Sequence, residues 1–99
     1  MTETLTYQTG TFTTDHASKY LQQLCKHFAH KIEVEYDPSS ARMALPTGPA
    51  TLAADGDRLT ARISGADDAA LDRARHIIDD HLKRFAHREN FEAMDWQAA

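Results

Sequence analysis

Cys25-Lys26-His27-Phe28-Ala29-His30 gathers a thiol and two imidazoles in one short run, the side chains that hold borderline divalent metals or serve as nucleophile and base. The run carries helical periodicity, and an α-helix turns by about 100° per residue, so Cys25 and His27 point about 160° apart. They cannot ligate one ion on a regular helix. Cys25 instead borders an apolar stripe beside Leu21 and Phe28, where a free cysteine behaves as a small hydrophobe. The string is not a zinc motif.

A second pattern survives the same geometry. Tyr20, Gln23, His27 and His30 follow three- and four-residue steps and so share one flank of a first helix. Ile77, His81, Arg84 and Arg88 do the same on a second. With the flanks facing each other, His27, His30 and His81 meet in one groove with Arg84 near. Three imidazoles suit a borderline divalent metal with an open position. Without metal, a carboxylate or phosphate fits between Arg84, Arg88 and a protonated histidine. Plain packing explains the same pattern, since histidine and tyrosine commonly edge a buried stripe with their polar atoms wet. The order and tilt of the helices decide between these readings.

Other chemistry is missing from the chain. No acid pair stands at a spacing for general acid–base work, and there is neither a Gly-rich phosphate loop nor a Gly-x-Ser-x-Gly elbow. Asp72, Asp79 and Asp80 lie four residues before His76, Lys83 and Arg84, the spacing of ordinary helix ion pairs. His16, His76 and His87 fall on positions expected to be solvated.

The elements that must position these groups are legible from periodicity. Residues 3–13 read as a strand, broken or bulged at Gly10. Thr14 or Asp15 is the expected cap of a helix whose stripe, Ala17, Tyr20, Leu21, Leu24 and Phe28, runs to about residue 30. Ile32, Val34 and Tyr36 alternate with charged residues in a strand, and Asp37-Pro38-Ser39-Ser40 is turn chemistry. Met43 and Leu45 carry the next strand, stopped by Pro46, Gly48 and Pro49. Leu52 and Ala54 mark a third, and Asp55-Gly56 is a hairpin signal leading to Leu59, Ala61 and Ile63. Ser64-x-x-Asp67 reads as a capping box before a helix with Leu71, Ala74, Ile78, Leu82 and Phe85 on one face. The tail 90–99 keeps Phe91, Met94 and Trp96, so part of it should pack back.

The order β-α-β-β-β-β-α, with one-sided strands and one-sided helices, predicts a two-layer α+β domain: a mainly antiparallel sheet covered on one face by two helices. That topology is shared with the TATA-binding-protein-like fold, a likeness of shape alone. The 99 residues fit one domain, 1–99, and the hydrophobic and charged fractions of 41% and 26% are those of a globular protein. The single cysteine suits a reducing compartment, and the start lacks the basic and apolar regions of a signal peptide, so the expected location is the cytoplasm. No apolar run is long enough for a membrane span. A net charge of −4 argues against nucleic acid and anionic lipid as partners, although Lys83, Arg84, His87 and Arg88 form a basic patch. Thr51, Ala53, Thr60 and Arg62 would face outward with Glu33, Glu35 and Arg42, a surface on which a homodimer could form.

At Tyr20-Leu-Gln-Gln-Leu-Cys-Lys-His-Phe-Ala-His-Lys31 and His81-Leu-Lys-Arg-Phe-Ala-His-Arg-Glu89 the chain resembles a bacterial family, domain of unknown function 2218. The resemblance extends to Glu33-Val34-Glu35-Tyr36, the Asp55-Gly56 hairpin and Asp95-Trp96. The family has no established activity, so the resemblance carries over no catalytic residue and leaves the cofactor unknown. Similar domains attached to siderophore-interacting flavin reductases imply an accessory role in iron handling, with a siderophore-related protein or a small ligand as partner. The leading expectation is a non-enzymatic binding or interaction module using the histidine groove. The alternatives are a small enzyme with His27 and His81 as acid–base groups or metal ligands, and a structural oligomerisation domain.

Overall fold

The computed structural model describes residues 5–98; the expected strand residues 3 and 4, the first residues of the chain and Ala99 lie outside the described residues. The chain runs through β1 (Thr6–Thr13), α1 (Ala17–Phe28), β2 (Val34–Tyr36), β3 (Ser40–Leu45), β4 (Gly48–Asp55), β5 (Arg58–Gly65), α2 (Asp68–Phe85), a 3-10 turn (His87–Glu89) and β6 (Asp95–Ala98). The strands form one sheet in the order β2-β3-β4-β5-β1-β6, and every neighbouring pair is antiparallel. This is the expected two-layer α+β architecture, extended by a closing strand that the tail supplies.

Alternation along the strands decides which face the helices cover. Met43, Leu45, Leu52, Leu59, Ala61 and Ile63 are buried on one side, and the intervening Arg42, Thr51 and Arg62 are exposed on the other. Leu21, Leu24, Ile78 and Leu82 close the core from above, each fully shielded from water. Full burial of such a side chain stabilises by roughly 1.5–3 kcal/mol. Cys25 lies in the same core, its thiol pushed by burial up to about 11, which keeps it protonated and inert as expected.

Several local expectations change. β1 is unbroken at Gly10; a Cβ there would lie 2.7 Å from the Trp96 ring, so the glycine makes room for the indole of β6 rather than for a bulge. Neither Thr14 nor Asp15 is the N-cap of α1; His16 is, and the Thr14 hydroxyl accepts from the His16 N–H at 3.1 Å. α1 ends at Phe28, two residues early. Tyr36 is exposed, because β2 is a short edge strand. Pro49 does not stop a strand but lies inside β4, where it has no N–H for the ladder; the Ser64 hydroxyl donates to its carbonyl at 2.5 Å. Ser64 therefore belongs to β5 and makes no capping box. Asp67 caps α2, accepting from the Ala70 N–H at 2.8 Å.

The turn signals behave as read. Gly56 takes a φ of 39°, the left-handed value that the two-residue β4–β5 loop needs. Asp37 accepts from the Ser39 and Ser40 N–H groups at 2.8 Å each, and these bonds hold its carboxyl below the usual range.

Candidate functional site: the groove between the two helices

The first turn of α1 lies beside the end of α2, and its last turn lies beside His81, so the helices run in opposite senses. The flank of α1 bearing Tyr20, Gln23 and His27 faces the flank of α2 bearing His81, Arg84 and Phe85. The imidazoles of His27 and His81 are 4.8 Å apart between ring centroids, tilted by 49°. Phe28 sits 4.7 Å from His81, and Phe85 lies 6.3 Å from His27. His81 Nδ1 donates to the Ile77 carbonyl at 2.6 Å, which leaves Nε2 as the free ring nitrogen.

This pairing affects protonation. Desolvation between the helices, followed by the charges of His81, Lys31, Arg84 and His30, lowers the proton affinity of His27 below the ordinary 6.5. Folding therefore favours the neutral ring. The stability this contributes is complete above 6.5 and is lost as pH falls through the folded-state value. In a proton NMR titration the His27 ring should change charge below 6.5, and His81→Ala should move its midpoint upward. A midpoint at or above 6.5 in the unmodified protein would contradict the contact.

His30 does not join the pair. With α1 ending at Phe28, it falls in the exposed turn that follows and acts on His27 only through its charge. Among the described residues no group of three or more His, Cys, Asp or Glu side chains is placed to hold a metal ion. His30 therefore stands apart from the His27–His81 pair, because the extrapolated helical step ran past the helix end.

Beyond Phe85 the groove widens into a cleft of about 440 Å³ between the start of α1 and the 3-10 turn. Arg84, His87 and Arg88 line it from one side, His16 and Lys19 from the other. Arg88 is therefore at this end and not beside His27. Among the described residues the one carboxylate in the lining is Glu89, whose oxygens accept from the Tyr20 hydroxyl and from the Thr14 hydroxyl, the latter at 2.8 and 2.9 Å. The Tyr20 bond, with that of Thr14, holds Glu89 below its usual range against the opposing effect of desolvation. Burial and the Glu89 contact push Tyr20 up to about 12, so it remains a donor. Sequence reading grouped His87 with Arg84 and Arg88 only as a basic patch, and missed Lys19, His16 and Glu89 as members of this site. The partners of Glu89 lie 69 and 75 residues away in the chain, and no local spacing signals such a contact.

Asp79 was also misread. It makes no helix pair with Lys83; its two oxygens accept from the Met94 N–H at 3.0 Å and from the Trp96 indole N–H at 2.9 Å. These bonds fasten the tail to α2. Asp72 keeps the expected local pattern, with Arg75 at 2.8 Å and His76 at 3.7 Å.

The fold and groove define a small two-layer α+β domain with a basic interhelical cleft. The chain belongs to the family of uncharacterized proteins conserved in bacteria designated DUF2218, whose sequence model matches residues 9–97. It is similar to the protein PA4090 from Pseudomonas aeruginosa, solved by NMR, with 30% identity and a TM-score of 0.76 over 93% of this chain and 95% of that one. No curated protein matches it. Among the described residues no helix is long and apolar enough to cross a membrane.

Proposed function

We propose that this domain is a non-enzymatic binding module that holds a small anionic molecule in the groove between α1 and α2. The observation that carries the reading is the charge of the cleft. Lys19, Arg84 and Arg88 surround it with His16 and His87, while the Glu89 carboxylate in its lining is engaged by two hydroxyl groups. This concentration of cations occurs on a chain of net charge −4. Basic residues at a helix C-terminus are favoured by the helix dipole in any case. That effect does not account for Lys19 and His16, which come from the opposite end of the other helix.

Arginine suits carboxylate and phosphate because its planar fork offers parallel N–H donors. Deeper in the groove, His27 gains a proton more readily once an anion offsets the neighbouring positive charges, so binding should strengthen on mild acidification. The resemblance to domains joined to siderophore-interacting flavin reductases makes a carboxylate-bearing iron chelate one candidate. A cytoplasmic site of action suits the reduced, buried Cys25. The enzyme alternative would use the same imidazole pair, and a turnover abolished by His81→Ala while ligand affinity is retained would favour it.

The test uses pyrophosphate and citrate as probes, with amide NMR shifts of the uniformly labelled protein as the readout. Shifts should concentrate on residues 16–23 and 84–89. Arg84→Ala with Arg88→Ala should weaken binding by about tenfold or more, equivalent to about 1.4 kcal/mol. Added salt should weaken it as well, since these charges are solvent-exposed. Shifts scattered over the surface, or an affinity unchanged in the double variant, would overturn the proposal.

A further inference from the structure

We propose that the free edge of β2 is a docking site for an extended segment of another protein carrying alternating apolar and basic side chains, which adds to the sheet as a seventh strand. This surface lies at the end of the sheet remote from β1 and β6, and the inference is independent of the anion cleft.

The hydrogen-bond phase of β2 supports it. The Ala44 N–H donates to the Glu33 carbonyl at 3.1 Å, and the Asp37 N–H donates to the Ser40 carbonyl at 2.9 Å. Antiparallel ladders alternate between bonded and non-bonded pairs, so Glu33, Glu35 and Asp37 turn their backbone groups toward β3. Val34 and Tyr36 therefore present theirs outward. β2 is the terminal strand in the sheet order, so among the described residues these groups have no strand partner. An added strand would satisfy them by main-chain bonds, the usual mode of β-augmentation.

The side chains indicate what kind of strand fits. A cleft of about 830 Å³ runs along β2 and past its start, where β3 and β4 extend beyond the edge. Ile32, Val34, Met43 and Leu45 give it apolar walls, and Ile32 and Val34 remain only half-buried. Glu33 and Glu35 form its acidic rim, exposed and in no ion pair among the described residues. Arg42 stands across from Glu35, while Glu33 is opposite Ala44. A partner strand with apolar residues toward the helices and lysine or arginine toward the rim matches both features.

A second copy of this chain does not. Any two-fold antiparallel pairing through Val34 and Tyr36 sets Glu35 against Glu35, Glu33 or Asp37 of its mate, and like charges directly opposite destabilise a sheet. Charge at this edge opposes self-pairing while inviting a basic strand.

The experiment uses the full chain, a peptide of alternating valine and lysine, and a control of alternating valine and glutamate. The basic peptide should bind, slow hydrogen exchange at the Val34 and Tyr36 amides, and compete poorly at high salt. Val34→Pro removes an outward donor without touching the β2–β3 ladder, and should weaken binding by about tenfold or more. Glu33→Lys with Glu35→Lys, a change on exposed side chains only, should reverse the preference toward the acidic peptide. Equal binding of both peptides, unprotected Val34 and Tyr36 amides, or a concentration-dependent dimer abolished by Val34→Pro would each overturn the proposal.

Discussion

Ile78→Ala should lower the stability of this domain by about 2–5 kcal/mol, the range for large-to-small changes at closed core positions. Ile78 has no exposed surface and sits in the middle of α2, where the helix presses on the sheet. Removing its outer carbons loses their transfer energy and leaves a void that the flanking Ala74 and Leu82, both fully buried, are poorly placed to fill. In urea the unfolding midpoint should fall with an unchanged slope. For a domain of this size even the lower figure moves Tm down by roughly 8–16 °C. Arg73→Ala, on the exposed side of the same helix, should stay within about 0.5 kcal/mol and serves as the control. A loss below 1 kcal/mol at Ile78 would mean that α2 does not pack as described, and the pairing of His27 with His81 would fail with it.

Asp79→Ala should cost about 1–3 kcal/mol, because the Met94 N–H and the Trp96 indole N–H lose their acceptors together. Trp96 reports directly, since detachment of β6 from β1 would change its fluorescence before the rest of the sheet melts. The pH dependence has a definite sign. Burial raises the Asp79 carboxyl above its usual 3.8, and the bonds from Met94 and Trp96 only partly oppose this. The folded state therefore binds the proton more tightly than the unfolded state. Between the raised folded value and 3.8, falling pH adds to Asp79's contribution, and below 3.8 that gain is complete. Glu89 and Asp37 behave oppositely, since their lowered values mean stability lost on acidification. The difference between wild type and Asp79→Ala should thus widen as pH drops toward 3.8. A difference that shrinks would show that the hydrogen bonds outweigh burial.

Much of the candidate site was legible because helices impose their own geometry. Steps of three and four placed Tyr20, Gln23 and His27 on one flank and His81 with Arg84 on another, and those two flanks do face each other. The same rule misled at His30, because it assumes a helix that continues, and α1 stops at Phe28. Glu89 and the basic residues of the first turn escaped notice for a different reason. They meet only when the start of one helix is laid against the end of the other, a contact between residues about seventy positions apart.

Local periodicity and turn chemistry by themselves determined the element types, the buried faces and the antiparallel arrangement, since each depends on neighbours within a few residues. Only the tertiary structure decided that the tail becomes a sixth strand locked by Asp79, that Gly10 yields space to Trp96, and that one end of the interhelical groove collects charge. Those outcomes depend on long-range packing and on the desolvation it causes, which short-range patterns do not encode.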